Sequence, residues 1–166
     1  MKQIVWFLLL AAVLSMTGLL PFDNNDVASL VPVQALTVDV KEDQVILDGG
    51  LCQGRGENWQ QALEDLRNSA DGAVFLGTAE HVILSKRAVA LLPDVIRSRE
   101  LRPAAVICVC PGDPPEPEEA ASYLSAHDGG MTIQKVQAIL LREEGVALPM
   151  LVKTEGGLRL HGTENG

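Results

Sequence analysis

The chain has 166 residues and carries 22 acidic against 13 basic side chains, which gives a net charge of −9 at pH 7. This length allows one compact domain plus a targeting segment. The negative charge repels nucleic acid and anionic lipid surfaces, so the composition argues against nucleic acid as a partner.

The first 22 residues predict a signal peptide or a membrane anchor. Lys2 precedes an apolar run from Ile4 to Leu20, which is at the short end of what a helix needs to span a bilayer. Apolar regions of signal peptides are usually shorter, and small-x-small cleavage sites near the end of the run are poor, so an uncleaved anchor is slightly favoured. Lys2 orients the rest of the chain outside the cytoplasm, either membrane-anchored or, after cleavage, secreted. Residues 23–34 then predict a linker.

A β-hairpin is predicted to open the domain, which covers residues 35–162. Apolar and polar residues alternate over 36–41, a pattern typical of a half-buried strand. A turn at 42–43 leads into the return strand, which begins at residue 44. The two glycines at 49–50 predict a bulge or bend in that second strand.

The first helix follows a glycine-rich segment at residues 54–56. We interpret these glycines as a bend before the helix rather than as an anion-binding turn, because the rest of a dinucleotide fingerprint is missing. Asn58 is the predicted N-cap. The apolar face of this helix consists of Trp59, Ala62, Leu63 and Leu66.

A strand over residues 81–84 and a helix over 87–99 come next. Pro93 lies inside the helical pattern, which predicts either a kink or a helix whose regular part starts late. The uninterrupted apolar run at 104–110 is typical of a central strand buried on both faces. Strands alternating with helices after an opening antiparallel hairpin indicate an α/β (α+β-like) domain, with helices packed on a mixed β-sheet.

The last part of the domain begins with an acidic, proline-rich loop. This loop, at residues 113–119, leads into a short helix over 118–126. Thr132 is the predicted N-cap of a third amphipathic helix. The apolar face of that helix consists of Ile133, Val136, Ile139 and Leu140. Strand candidates at 148–152 and 158–160 complete the domain, and residues 163–166 form a tail.

No catalytic, cofactor-binding or metal-binding residues are predicted. Glu80 and His81 are neighbours, so on a strand their side chains point to opposite faces, and His81 is interpreted as a satisfied structural histidine near the strand start. Cys108 and Cys110 share a strand face, where a disulfide between them would be strained. Cys52 could pair with one of them if the strands are adjacent, but buried free thiols are favoured. A Cys-x-Cys metal site lacks a third ligand at suitable spacing.

Several blocks of sequence keep a recognisable order between Gln34 and Gly162. They are Ala62-Leu63 with Leu66, the segment FLGTAEHVILS at 75–85, VICVC at 106–110 followed by Pro-Gly, and the segment from Leu148 to Gly162. Their order and spacing resemble the N-terminal domain of the Ger(x)C family, the C-subunit of bacterial spore germinant receptors. Members of that family are lipoproteins with further domains. Here the first cysteine is Cys52, so an N-terminal lipid has no acceptor, and the sequence includes no further domain.

The resemblance implies a membrane-anchored, extracytoplasmic, non-enzymatic module that acts in sporulation or germination. It would lie at the spore inner membrane and dock on other germinant-receptor subunits. Two charged segments, which are usually just solvated faces, are the predicted docking surface: Arg97, Arg99, Arg102, Asp113, Glu116 and Glu118. The alternative is a secreted or anchored small-ligand- or metal-binding protein, or an enzyme, centred on His81 and the cysteines.

Overall fold

The computed structural model describes Trp6 and residues 30–127, 129–142 and 145–162. Over these residues the prediction of a mixed α/β domain is confirmed. Except for Trp6, the predicted N-terminal helix lies outside the described residues. So do the first part of the predicted linker and the tail.

Nine strands and four α-helices make up the described part of the chain. The strands are β1 (Leu30–Pro32), β2 (Ala35–Lys41), β3 (Gln44–Asp48), β4 (Gln53–Gly56), β5 (Ala73–Phe75), β6 (His81–Ser85), β7 (Val106–Cys110), β8 (Met150–Thr154) and β9 (Gly157–His161). The helices are α1 (Trp59–Ser69), α2 (Leu92–Arg97), α3 (Pro117–Ala126) and α4 (Ile133–Leu140), with 3-10 turns at Leu76–Thr78 and Lys86–Leu91.

Within the described residues, seven strands form one mixed sheet in the order β4-β3-β2-β6-β7-β8-β9. The central strands β2, β6, β7 and β8 are parallel, and an antiparallel segment flanks them on each side. Strand β1 pairs in parallel with β5 as a separate two-stranded ribbon. The predicted linker therefore includes a strand at its end, and Val33, which follows that strand, is fully buried.

The opening hairpin is confirmed, but its first strand is not half-buried. Glu42 and Asp43 have φ of 51° and 60°, the left-handed pair that a tight two-residue hairpin turn requires. Strand β2 is buried from Ala35 to Asp39, including Thr37. Strand β2 lies between β3 and β6, and helices cover both faces of the sheet. The polar residues of β2 are therefore buried as well, which the alternating pattern does not predict.

The sheet separates a larger core from a smaller one. Helices α1, α2 and α4 cover the larger core, where Leu36, Val82 and Ile107 meet Trp59 and Leu63. Helix α3 covers the opposite face through Ala120, Ala121 and Leu124, which pack on Ile83, Cys108 and Leu151. The period-two alternation of β6 and β7 distributes neighbouring side chains between the two cores.

Two helices begin as the sequence indicates. The side chains of Asn58 and Thr132 accept hydrogen bonds from backbone N–H groups of α1 and α4, as predicted. Pro93 lies in the first turn of α2, after a 3-10 segment, so the regular helix starts late. Leu140, predicted on the inner face of α4, is 39% exposed, because it lies in the last turn, at the open rim between α2 and α4.

Strand β4 was not predicted. Gly54 and Gly56, interpreted as a bend, lie in this edge strand directly beneath α1. A Cβ at Gly54 would lie 2.2 Å from the carbonyl oxygen of Ala62, so glycine is what allows the helix to approach. Because glycine has no side chain, β4 lacks the apolar alternation by which a strand is recognised in a sequence.

Side chains from helices bond to backbone groups at both outer strands. The Arg55 N–H donates to Asp65 at 2.8 Å, and the Ser69 hydroxyl donates to the Gln53 carbonyl. Asp65 and Ser69 both belong to α1, so these two hydrogen bonds join α1 to β4. At the opposite edge the Leu160 N–H of β9 donates to the Tyr123 hydroxyl of α3 at 2.9 Å.

We expect Gly54→Ala to lower the free energy of unfolding by about 3 kcal/mol, because the new methyl group forces α1 away from β4. Chemical denaturation followed by circular dichroism measures this effect. Gly112→Ala is the control, since no atom lies within 4 Å of a Cβ at that position. Equal stability of the two variants would contradict the close approach of α1 to β4.

Candidate functional site

The parallel strands end together at one edge of the sheet, here called the carboxyl edge. Asp39 of β2, Ser85 of β6 and Cys110 of β7 lie there on the smaller-core face. The 3-10 segment after β6 carries Arg87, and the loop after β7 carries Asp113. In open α/β sheets this edge is the usual place for functional groups.

Arg87 joins these segments through a bidentate ion pair. Its Nη2 donates to the two carboxylate oxygens of Asp39 at 3.0 and 2.8 Å, and its Nε donates to Oδ1 at 3.2 Å. The same Nη2 lies 2.6 Å from Asp113 Oδ1. Lys41 Nζ completes the group, 3.5 Å from Asp39 and 3.4 Å from Asp113. We call Asp39, Lys41, Arg87 and Asp113 the carboxyl-edge cluster.

The electrostatics of the cluster favour ionised carboxylates. Burial alone would raise the pKa of Asp39, but hydrogen bonds from Ser85, Arg87 and the Val40 N–H outweigh it and hold this pKa below its ordinary value. Hydrogen bonds from Arg87 and Lys41 lower the pKa of Asp113 as well. Two anions and two cations therefore neutralise each other, and the cluster is a closed network rather than an unpaired acid or base.

The three cysteines are free and buried. Cys52 belongs to the larger core and Cys108 and Cys110 to the smaller one, so the disulfide considered for Cys52 is wrong. Burial raises the pKa of Cys108 to about 12 and also raises those of Cys52 and Cys110. Thiols with raised pKa values in buried positions are poor nucleophiles and poor metal ligands.

His81 begins β6 and is 6% exposed, between Ala35 and Val106 on the neighbouring strands. Glu80, which precedes β6, pairs with Arg102 at 3.4 Å and not with His81. Neither ring nitrogen of His81 has a hydrogen-bond partner among the described residues, so the interpretation as a satisfied histidine is wrong. Burial lowers the pKa of His81, with an opposing effect of Glu80 and a further lowering by Arg102.

The predicted docking residues do not form one surface. Arg97, Arg99 and Arg102 precede β7 and lie at the amino edge of the sheet, whereas Asp113 follows β7 and belongs to the carboxyl-edge cluster. Glu116 and Glu118 are exposed at the start of α3. The acidic loop is largely exposed, as its interpretation as a solvated loop requires, and its Asp113, 70% exposed, also pairs with Arg87 and Lys41.

A groove beside the start of α3 was missed by the sequence analysis. Its volume is about 270 Å³, and it is lined by Pro32, Gln34, Ala35, Gly49, Leu51, Pro117, Glu118 and Ala121. Leu51 is 75% exposed at this groove. The Glu118 carboxylate lies against Gly50, so an acidic side chain and an exposed apolar one stand side by side. We call this feature the α3 groove.

Sequence reasoning also missed the carboxyl-edge cluster. Asp39, Arg87 and Asp113 each follow or end a strand, but the signal depends on knowing that β2, β6 and β7 are parallel neighbours. In the part of the chain that the structure describes, no three His, Cys, Asp or Glu side chains are placed to hold a metal ion. The hypothesis centred on His81 and the cysteines therefore has no assembled ligand set there.

No protein-family model, no curated protein and no solved structure matches this chain. The resemblance to the Ger(x)C family therefore stays a prediction. None of the helices in the described ranges is both long enough and apolar enough to cross a bilayer.

We expect Arg87→Met to lower the free energy of unfolding near pH 7, because it leaves the buried Asp39 carboxylate with fewer donors. The half-exposed position of Arg87 makes this loss smaller than that of a fully buried pair. The folded-state pKa of Asp39 is lowered, so its contribution is full above the ordinary value of 3.8 and is lost as the pH falls through the folded-state pKa.

Urea unfolding at pH 7 and at stepped acidic pH measures both effects. Arg99→Met is the matched control, since Arg99 is exposed and has no ion pair among the described residues. A pH-independent difference between Arg87→Met and the native chain would contradict the role given to Asp39.

We expect His81→Leu to stabilise the fold by about 1 kcal/mol at neutral pH, because it removes two buried nitrogens without partners. The folded-state pKa of His81 is lowered, so the native chain loses stability as the pH falls below 6.5, where the unfolded chain binds the proton more tightly. Thermal unfolding between pH 8 and 5 should show this step in the native chain and in the control His161→Leu, an exposed site. If His81→Leu retained the step, the pH dependence could not be assigned to His81.

Proposed function

We propose that the chain is a membrane-tethered, extracytoplasmic docking module related to the C-subunits of spore germinant receptors. It acts in sporulation or germination by binding other receptor subunits rather than by catalysis. The apolar run at residues 4–20 supports the tether, and the block order between Gln34 and Gly162 supports the relationship.

The observation that carries the docking proposal is the α3 groove. Leu51 stands 75% exposed at its rim, beside Pro32, Ala35 and Pro117 of the groove lining, so apolar side chains are grouped there. The groove extends from Pro32 and Gly49 to Ala121, so a partner side chain would contact both β2 and α3.

The charge around the α3 groove indicates the chemistry of the partner. Glu116, Glu118 and Glu119 lie in or beside the first turn of α3, and Lys153 pairs with Glu119 at 3.4 Å. The other two glutamates have no ion pair among the described residues, which leaves a negative rim. A receptor subunit with a segment of basic and apolar side chains fits this surface, and the predicted residues Glu116 and Glu118 would set its orientation.

The ionisable side chains whose pKa values depart from the ordinary ones support a role in folding and docking. Asp39 and Asp113 are neutralised by Arg87 and Lys41, and the cysteine thiols are buried. The ion pairs link β2, which borders the α3 groove, to the segments that follow β6 and β7. They give a partner a preformed surface, which lowers the entropy lost on binding.

Leu51→Asp in the full chain tests the docking proposal. We expect the variant to co-purify with the membrane subunits of a germinant receptor about tenfold less well, since an exposed apolar anchor is replaced by a charge. Leu141→Asp is the matched control, because Leu141 is 86% exposed but lines the groove between α2 and α4. If both variants bound like the native chain, the α3 groove would not be the docking site.

A further inference from the structure

We propose that the two-stranded ribbon of β1 and β5, with the arginines beside it, rests on the surface of the lipid bilayer. This inference depends on the membrane tether in the proposed function. It goes further by assigning the face that meets the lipid. We call Leu30, Phe75, Arg99 and Arg102 the tether face.

The tether face combines exposed apolar side chains with guanidinium groups. Leu30 is 38% exposed and Phe75 is 50% exposed, and both belong to the ribbon. Phe75 lines a groove of about 420 Å³ together with Leu101, Pro103, Arg99 and Arg102. Buried Leu76 and Leu101 form its apolar floor, so the ribbon and the segment before β7 make one continuous surface.

The length of the connecting chain keeps this face near the bilayer. The apolar run ends at Leu20 and β1 begins at Leu30, so the intervening chain spans at most about 35 Å when fully extended. A domain of this size has a diameter of roughly 35 Å. Since Leu30 begins the ribbon, the ribbon stays within this distance of the end of the apolar run, whereas the far side of the domain can lie about twice as far away.

The charges on the tether face suit lipid headgroups. Glu100 is paired with Arg67 and Glu80 with Arg102, which neutralises these two carboxylates. Arg99 has no ion pair among the described residues, so its guanidinium group is available to a headgroup phosphate. Guanidinium groups bind phosphate oxygens bidentately, while an aromatic ring and a leucine enter the boundary between headgroups and acyl chains.

The net charge of −9 repels an anionic bilayer, so this contact would be weak for a free domain. A short connection to the tether makes the contact effectively intramolecular. It thereby raises the effective concentration of lipid at the tether face and offsets the repulsion. The contact therefore fixes the orientation of a domain that the tether already holds. It also leaves the α3 groove, which is bounded by different residues, available to a protein partner.

Site-specific labelling of the full chain tests this orientation. Cys52, Cys108 and Cys110 are buried with raised pKa values, so a thiol-reactive fluorophore selects an introduced cysteine. The labelled variants are Phe75→Cys, Leu30→Cys and the control Val89→Cys. Val89 is an apolar residue, 38% exposed, that follows β6 and lies at the carboxyl edge. Each is reconstituted in vesicles of phosphatidylethanolamine and phosphatidylglycerol that contain a headgroup-quenching lipid.

We expect the labels at positions 75 and 30 to be quenched by the lipid and the label at 89 to keep its fluorescence. Adding Arg99→Glu should reduce the quenching at position 75, because a guanidinium–phosphate contact is replaced by repulsion. If Phe75→Cys perturbs the fold, the label at position 30 still reports whether the ribbon is close to the lipid.

Flotation of the same vesicles separates this inference from the proposed function. If the chain floats with the vesicles but all three labels are quenched equally, the tether stands and the assigned face is wrong. If the chain does not float, the tether fails and the inference falls with it. A photo-crosslinker at position 75 that captures a second copy or a receptor subunit instead of lipid would also overturn the inference, because the face would then be a protein interface.

Discussion

The bidentate pair between Arg87 and Asp39 is the contact on which the arrangement of the sheet depends. Asp39 ends the buried part of β2, Arg87 follows β6, and Asp113, bonded to the same guanidinium, follows β7. Three chain segments distant in sequence are thus held at the carboxyl edge by one side chain. Removing one partner would leave a buried charge uncompensated, so this contact holds β2 and the segments after β6 and β7 together at the carboxyl edge.

The two faces of the sheet pack against cores that differ in size and polarity. The larger core, with Trp59, Leu63 and Leu66 packed on Leu36 and Val82, supplies most of the buried apolar surface. The smaller core is thinner and holds the polar residues Thr37, Asp39, His81 and Ser85, together with two cysteines. His81, which has no hydrogen-bond partner among the described residues, is tolerated there because burial lowers its pKa and so favours the neutral ring.

The elements with strong local signals could be predicted from the sequence. The hairpin turn at Glu42, the caps Asn58 and Thr132, and the late start of the helix at Pro93 depend on neighbouring residues alone. The features that the sequence did not predict depend on contacts between distant segments. The strand at 53–56 contains two glycines and so lacks an apolar pattern. The carboxyl-edge cluster requires knowledge of which strands are parallel neighbours, and the α3 groove requires the position of α3 relative to Leu51.

At each outer strand of the seven-stranded sheet, helix side chains bond some of the backbone groups. Asp65 and Ser69 bind the outward backbone groups of β4, and Tyr123 binds the Leu160 N–H of β9. An edge strand whose backbone groups are already bonded is a poor template for a further strand. These contacts therefore oppose the joining of two copies of the domain edge to edge. A partner strand that extended the sheet would have to displace them.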